Sequence, residues 1–367
     1  MFVDTGRNRA CSYSRDVTRR SLRPRRRHLI WFALASVLTI GHVLSWSISA
    51  PAGAEKEEIS GGVRLHPVAS LAASHGALRV ALSPDGKLVA AGGTGPTVAV
   101  WEVDRKGSEQ TLTDGRGGVK ALTFSPDGRY LAVGRVGPPT SDRIVENRDA
   151  RSLSLIRSLP GTGSPNVTGI RSVRFSPGSR WLLARAEAAA IVVYDVADGK
   201  VIRIIEAPVD LAGAIALIEQ GRKVVFGAKE PGRGYELRIA DVKTGALLKT
   251  VDATDMVWAL APGSSSSQVV TGDRSGTISM YDVASGRRER SVEGHKAPVE
   301  VLGFLPRGRG LVSVGQDSAI RIWETRSLKQ TASFDIRPRL VLGADMNQLG
   351  RLAIGHEDGV LVWEVSR

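Results

Sequence analysis

The chain has 367 residues, of which 42% are hydrophobic and 24% are charged, a composition that excludes a protein disordered throughout. Residues 1–54 hold nine arginines and carry +7 of its net charge of +13, so the charge gives little support for nucleic-acid binding and we expect none. The single cysteine, Cys11, excludes a disulfide scaffold, a thiolate zinc site and cysteine catalysis in the rest of the chain.

The first 62 residues divide by composition into three segments. Residues 1–28 are polar and basic without apolar periodicity, which predicts a disordered tail. Residues 29–50 carry no formally charged side chain, and as a helix this segment would be roughly 33 Å long, enough to cross a bilayer core. Residues 51–62 are then a linker to the main body, which begins at residue 63.

Two interpretations of the apolar segment 29–50 stay open. Ala52 and Ala54 form an A-x-A pattern typical of signal-peptidase sites, which predicts an export signal cut after Ala54. The segment is longer than a usual signal core, which favours an uncleaved single-pass membrane anchor. Both interpretations keep the arginines on the cytoplasmic side, so we expect the main body on the periplasmic or extracellular side. The arginine-rich flank disfavours the third interpretation, a buried core helix.

From residue 63 onward the sequence repeats about every 43 residues, a period typical of propellers and solenoids. Most units contain an apolar run with an aromatic residue followed by an acidic one, as in Ile191–Val196 and Ile278–Val283. In the degenerate second copy, Arg143–Arg148, the period assigns the aromatic position to Glu146. In the fourth copy the aromatic position holds Ala240. The aromatic positions are Trp101, Tyr194, Tyr281, Trp323 and Trp363.

A proline–glycine turn recurs once in most units. It reads Ser83-Pro84-Asp85-Gly86 and Ser125-Pro126-Asp127-Gly128 in the first two copies. This is the chemistry of a type I turn, in which proline presets φ and glycine takes the position that favours positive φ. The runs before it alternate as half-buried strands do. A repeat of this length with several strands predicts an all-β propeller.

The sixth unit carries the fullest copy of the motif, namely His295, Ser313, Asp317 and Trp323. Residues 63–367 resemble the WD40-repeat family on these residues and on the seven copies in register. In that family such a set is hydrogen-bonded and stabilises one blade, so the resemblance implies this role for the four side chains. It also implies a seven-bladed propeller of four-stranded blades. With its leader, the chain looks like an exported or membrane-anchored WD40 protein of bacterial type.

The last unit ends after its third strand, and Val63–Ala72 has no preceding strands of its own. We expect this segment to be the outermost strand of the last blade, since WD40 propellers close by building one blade from both ends. Closure hides edges that would otherwise pair with other chains. A six-bladed ring is the alternative, and it would require the degenerate second copy to be a loop.

The sequence contains neither H-E-x-x-H nor G-x-S-x-G, and we predict no catalytic residue, metal ligand or cofactor. A position four residues before the Phe of each first strand should lie at the upper rim. It holds Lys120, Arg171 and Glu300, where the two neighbouring cations would receive an acidic partner; the alternative is ordinary solvated charge.

Fold alone does not supply function, because function is carried by sites on the fold. We expect a non-catalytic protein–protein interaction scaffold with an unidentified protein partner, contacting the membrane through residues 29–50 if these are not cleaved. The alternative is a propeller enzyme or small-ligand binder with its site at the central channel.

Overall fold

The computed structural model describes residues 57–366 except 74–76, 106, 114–116, 137–144, 161–168, 188–189, 209–212, 309 and 337–339. The predicted tail, the apolar segment 29–50, Ala52 and Ala54 lie outside the described residues, so the leader stays a prediction. In the described part, no helix is both long and apolar enough to cross a membrane. The only helices found there are two 3-10 turns, Glu219–Gly221 and Pro306–Gly308.

Seven antiparallel sheets form the described fold, and six of them are blades of four consecutive strands. Blade 1 contains β3 (Arg79–Leu82), β4 (Leu88–Gly92), β5 (Val98–Glu102) and β6 (Gln110–Leu112). Blade 2 contains β7 (Val119–Phe124), β8 (Tyr130–Arg135), β9 (Val145–Asp149) and β10 (Leu155–Leu159). Blade 3 contains β11 (Ile170–Phe175), β12 (Trp181–Ala186), β13 (Ala190–Asp195) and β14 (Val201–Glu206).

The second half of the chain repeats this arrangement. Blade 4 contains β15 (Ile215–Ile218), β16 (Lys223–Glu230), β17 (Gly234–Asp241) and β18 (Leu247–Asp252). Blade 5 contains β19 (Val257–Pro262), β20 (Gln268–Asp273), β21 (Thr277–Asp282) and β22 (Arg287–Glu293). Blade 6 contains β23 (Val299–Phe304), β24 (Leu311–Gly315), β25 (Ala319–Trp323) and β26 (Gln330–Asp335). The seven-bladed prediction is confirmed, and the six-bladed alternative is wrong because residues 145–149 form a paired strand.

Blade 7 combines the two ends of the described chain. It contains β27 (Gly343–Met346), β28 (Arg351–His356) and β29 (Gly359–Ser366), followed outward by β2 (Val63–Ala72) and β1 (Glu58–Ser60). Strand β2 runs antiparallel to β29, with Arg64 opposite Ser366 and Ala72 opposite Gly359. The predicted closure by this segment is therefore confirmed.

Strand β1 was not predicted from the sequence, because its residues fall in the segment assigned as a linker. Ser60 pairs with Val63 around the two-residue turn Gly61–Gly62. Both glycines have positive φ, 55° and 75°, as a type I′ hairpin turn requires. In addition, Ser60 Oγ accepts a hydrogen bond from the Ser333 amide of blade 6 at 3.3 Å, so β1 also contacts the neighbouring blade.

The first strand of each blade contacts the first strand of the next, from β3 through β27 and back to β3, so these strands surround a central channel. Apolar side chains fill the interfaces between blades as seven clusters, each of which joins two neighbouring blades. The five predicted aromatic positions all lie buried in these clusters. Burying large rings between sheets is the dominant apolar contribution of each repeat.

Blade 2 departs from this pattern. Trp101 of blade 1 pairs with Val89, and the residue that pairs at the corresponding place in blade 2, with Leu131, is Arg148. Arg148 therefore occupies the aromatic position of blade 2. The assignment of this position to Glu146 was wrong by two residues. Glu146 instead accepts hydrogen bonds from Arg135 Nε at 2.6 Å and Arg148 Nε at 2.8 Å. All three side chains are less than a tenth exposed. An ion triad therefore replaces the ring.

Candidate functional site

The structure brings the four motif residues of blade 6 together. Asp317 Oδ1 lies 2.8 Å from His295 Nδ1, and Ser313 Oγ lies 2.7 Å from His295 Nε2. Because a carboxylate only accepts, Nδ1 donates to Asp317, and Nε2 then accepts from the serine hydroxyl. Trp323 Nε1 donates to the same Ser313 Oγ at 2.8 Å. The chain of bonds joins the segment before β23 to strands β24 and β25.

The electrostatics of this set favour a neutral histidine and a charged aspartate. Burial lowers the pKa of His295, an effect that Asp317 opposes and the charge of Arg321 reinforces. Burial alone would raise the pKa of Asp317, but hydrogen bonds from the Lys296 amide, His295 and Arg321 hold it below its usual range. The set is fully used in bonds within the blade, and this is a structural arrangement rather than an open site.

Lys120, Arg171 and Glu300 each stand second in the first strand of their blade, at the same end of the channel. We call this end the channel rim and define it by these residues with Arg79, Trp258 and Gln316. The side chain of Lys120 is exposed. Arg79 of blade 1 donates from Nε to the Lys120 carbonyl at 2.9 Å, which joins two blades at the rim.

Arg171 is paired rather than free. Its Nη2 lies 3.4 Å from Glu187 Oε1, and both side chains are about a quarter to a third exposed. Gly213, with a φ of +75°, leaves room for its stem, since a Cβ there would lie 2.7 Å from Arg171 Cβ. The guanidinium is therefore held at the rim between blades 3 and 4. Sequence reasoning identified the cation and missed the two residues that position it.

Glu300 differs from the two cations. Its Oε1 accepts from Trp258 Nε1 of blade 5 at 3.1 Å and from Gln316 Nε2 at 2.5 Å. Burial raises the pKa of Glu300, and the hydrogen bond from Gln316, the charge of Arg79 and the bond from Trp258 offset this only in part. The carboxyl is consequently a link between blades 5 and 6.

A second inner-strand carboxyl, Asp345 in β27, was not singled out from the sequence. Its Oδ2 accepts from the Leu82 amide of blade 1 at 2.8 Å. Burial raises its pKa despite the charge of Arg174 and the amide bonds from Leu82 and Met346. An aspartate inside an otherwise apolar first strand was the available signal. Among the described residues, no group of three or more potential metal ligands occurs.

Comparison with known proteins agrees with this architecture. The family model described as "WD domain, G-beta repeat" (WD40) matches residues 66–102, 107–145 and 286–324. Each match begins in the outer strand of one blade and continues through inner strands of the next, so the repeats overlap neighbouring blades. Three segments of the chain therefore match the WD40 repeat.

Relatives match with modest identity. Autophagy-related protein 16 of Arabidopsis thaliana is 23% identical over 189 residues, which are 51% of this chain and 36% of the relative. Nuclear distribution protein nudF of Aspergillus niger is 24% identical over 265 residues, 67% of this chain and 58% of the relative. WD repeat-containing protein 3 of Homo sapiens is 30% identical over 66 residues, 18% of this chain and 7% of the relative. The chain thus spans about a third to somewhat over half of the first two relatives.

Proposed function

We propose that this chain is a non-catalytic WD40 propeller that binds a protein partner through its channel rim, outside the cytoplasm. The observation that carries the proposal is the pair of cations on neighbouring blades, Lys120 and Arg171. The Lys120 backbone is fixed by Arg79 and the Arg171 side chain by Glu187. The Arg171 guanidinium, held in position, loses little conformational entropy on binding, and Lys120 adds an exposed ammonium; both suit an acidic partner surface.

The inner-strand carboxyls support a non-catalytic function. Glu300 and Asp345 are both half-buried, and both accept hydrogen bonds from a neighbouring blade. A carboxyl used in this way stabilises the ring, and its burial has a structural explanation. The rival function, a channel enzyme or small-ligand binder, would require these groups to face a substrate.

The location rests on the arginine-rich segment that precedes residues 29–50. A reporter that is active only in the cytoplasm, fused after Arg367, should be silent, whereas a strong signal would contradict export. Sequencing the N-terminus of the mature protein distinguishes cleavage after Ala54 from an uncleaved anchor.

The partner-binding proposal is tested by cross-linking and affinity purification with matched variants. Lys120→Glu and Arg171→Glu, combined, reverse the charge of the rim. The control is Lys200→Glu, because Lys200 is 81% exposed and lies in the turn at the opposite end of the strands. We expect one protein to co-purify with the wild type and the control and to be lost with the rim variant. Equal recovery with all three would overturn the assignment to the rim.

A further inference from the structure

Three neighbouring blade interfaces share one contact. A cation in the outer strand of one blade donates to a carbonyl in the turn before the outer strand of the next blade. Arg157 bonds to Ala197 O at 3.3 Å, and Arg203 bonds to Lys243 O at 3.2 Å. Lys249 bonds in the same way to Ala284 O. We call this the cation–turn contact; it joins blades 2 to 3, 3 to 4 and 4 to 5.

Glycine makes this contact possible. The accepting turns hold Gly199, Gly245 and Gly286, with φ of 72°, 77° and 78°. A Cβ on Gly199 would lie 2.1 Å from Arg157 Cδ, and on Gly245 it would lie 3.0 Å from Arg203 Cδ. The missing side chain therefore leaves the space through which the stem of the cation runs.

The interface between blades 5 and 6 breaks this rule. Arg290 supplies the cation here. It pairs with Met280 in blade 5, which is the strand position that Arg203 occupies opposite Val193 in blade 3. The turn of blade 6, however, holds Leu328 at the glycine position, with a φ of 55°. Leu328 is buried in the same apolar cluster as Met280. Within the described part of the chain, Arg290 makes neither a side-chain hydrogen bond nor an ion pair.

A groove of about 500 Å³ opens at this interface. Its walls carry four guanidinium groups, from Arg287, Arg288, Arg290 and Arg326, all exposed, and we call it the arginine groove. Its two carboxylates are engaged by neutral donors: Asp282 by Ser285 N at 2.6 Å and Glu289 by Gln268 Nε2 at 2.8 Å. The groove lies at the other end of the strands from the channel rim.

We propose that the arginine groove binds an acidic, extended peptide segment of a partner protein, as a second site separate from the rim. Four guanidiniums against two carboxylates leave an excess of positive charge, and the fork of each guanidinium suits bidentate binding of a carboxylate. Ser264, Ser285 and Thr325 add hydroxyls to the walls. Strand β22 is the outermost strand of blade 5, so its free edge is available to peptide backbone.

A peptide fits this groove better than a nucleic acid does. A nucleic-acid backbone carries continuous negative charge and would meet Asp282 and Glu289 within the same walls. A peptide can place carboxylates at the guanidiniums and neutral residues at these two positions. A volume of about 500 Å³ suits a peptide segment of a few residues.

The test is fluorescence anisotropy of a dye-labelled hexaglutamate peptide with the full chain. Arg290→Gln should weaken binding roughly tenfold, and Arg290→Gln with Arg326→Gln further, because each change removes a charge-assisted hydrogen bond. The matched control is Arg203→Gln, the same residue type at the same strand position two blades away, whose cation is already used in a cation–turn contact. It should leave the affinity within about twofold.

The remaining outcomes each contradict the proposal. Equal affinity for wild type and Arg290→Gln would show that the peptide binds elsewhere. Complete displacement by an equal concentration of inorganic phosphate would reduce the groove to a simple anion site. Tighter, Arg290-dependent binding of a single-stranded oligonucleotide would make the ligand a nucleic acid.

Discussion

Ser313 Oγ lies 2.7 Å from His295 Nε2 and 2.8 Å from Trp323 Nε1, so one hydroxyl joins the imidazole to the indole across blade 6.

Replacing His295 by Ala removes the acceptor for this hydroxyl and a donor to Asp317. An unsatisfied buried polar group costs about 1–3 kcal/mol, and we expect a loss of this size in the free energy of unfolding. Urea unfolding measures it. His66→Ala, in the outer strand β2, is the control and should cost about 0.5 kcal/mol or less. Equal shifts would argue against a stabilising network around His295.

The lowered pKa of His295 predicts a pH dependence with a definite sign. The unfolded chain takes up a proton near the ordinary value of 6.5, whereas the folded chain takes it up only at lower pH. The unfolded state therefore binds more protons between the two values, and stability falls as pH drops below about 6.5.

Unfolding free energies at about pH 7.5 and about pH 5.5 test this sign, because an ordinary histidine titrates between these values. The loss of stability should be larger for wild type than for His295→Ala, which has no imidazole to protonate. An identical loss in both would assign the effect to other groups.

Closure by the N-terminal strand makes blade 7 sensitive to a short deletion. Removing Val63–Ala72 exposes the edge of β29 and uncovers its apolar face, so we expect aggregation or a non-cooperative thermal transition. Deleting β1 alone is the matched control, since β2 and the ring remain. A cooperative transition at the wild-type temperature after removal of β2 would contradict the closure.

The ion triad of blade 2 predicts a large effect from a conservative change. Glu146→Gln removes the carboxylate that the buried Arg135 and Arg148 share, and breaking a buried ion pair typically costs about 3–5 kcal/mol. Glu102→Gln is the control, because Glu102 lies in the corresponding strand of blade 1 with its side chain 47% exposed. Its free energy of unfolding should change by less than about 0.5 kcal/mol. Similar small values for both would show that the triad is not desolvated.

The cation–turn contact predicts different costs for two glycines of similar conformation. Gly199 and Gly232 have φ of 72° and 80°, so an alanine at either pays the left-handed strain of about 1–2 kcal/mol. Nothing lies near a Cβ at Gly232, whereas one at Gly199 displaces Arg157 from Ala197. We expect Gly199→Ala to cost about 1 kcal/mol more, the value of the lost hydrogen bond. Chemical denaturation of the two variants should reveal this gap, and its absence would mean that the contact does not stabilise the ring.

The sequence predicted most of the architecture because each blade repeats the same local signals. Proline–glycine turns and buried aromatic positions recur at a fixed period, and backbone pairing follows from them. Glu146 was misassigned because the degenerate copy has no aromatic side chain, so its aromatic position was inferred from the repeat period alone. The strand pairing with Leu131 shows that Arg148 occupies this position. The hairpin turn Gly61–Gly62 was a local signal for β1 that the composition of the linker obscured.

The sites were less accessible to sequence reasoning because they depend on contacts between blades. Glu300 stands second in its strand, yet it accepts a hydrogen bond from Trp258, which is 42 residues away in the sequence. At the arginine groove, Leu328 of the adjoining blade stands where three other turns hold glycine. Spacing along the chain does not report which side chain faces which across an interface.

Pairing Arg64 with Ser366 also constrains when the protein can finish folding. The partners are roughly 300 residues apart, so β2 leaves the ribosome well before β29 and has no pairing partner until β29 has been synthesised. Until then, six blades can form in order of synthesis while blade 7 stays open and its strand edges remain available to other chains. Such long-range pairing slows the closure of the ring, which makes the protein most vulnerable to aggregation until β29 has paired with β2.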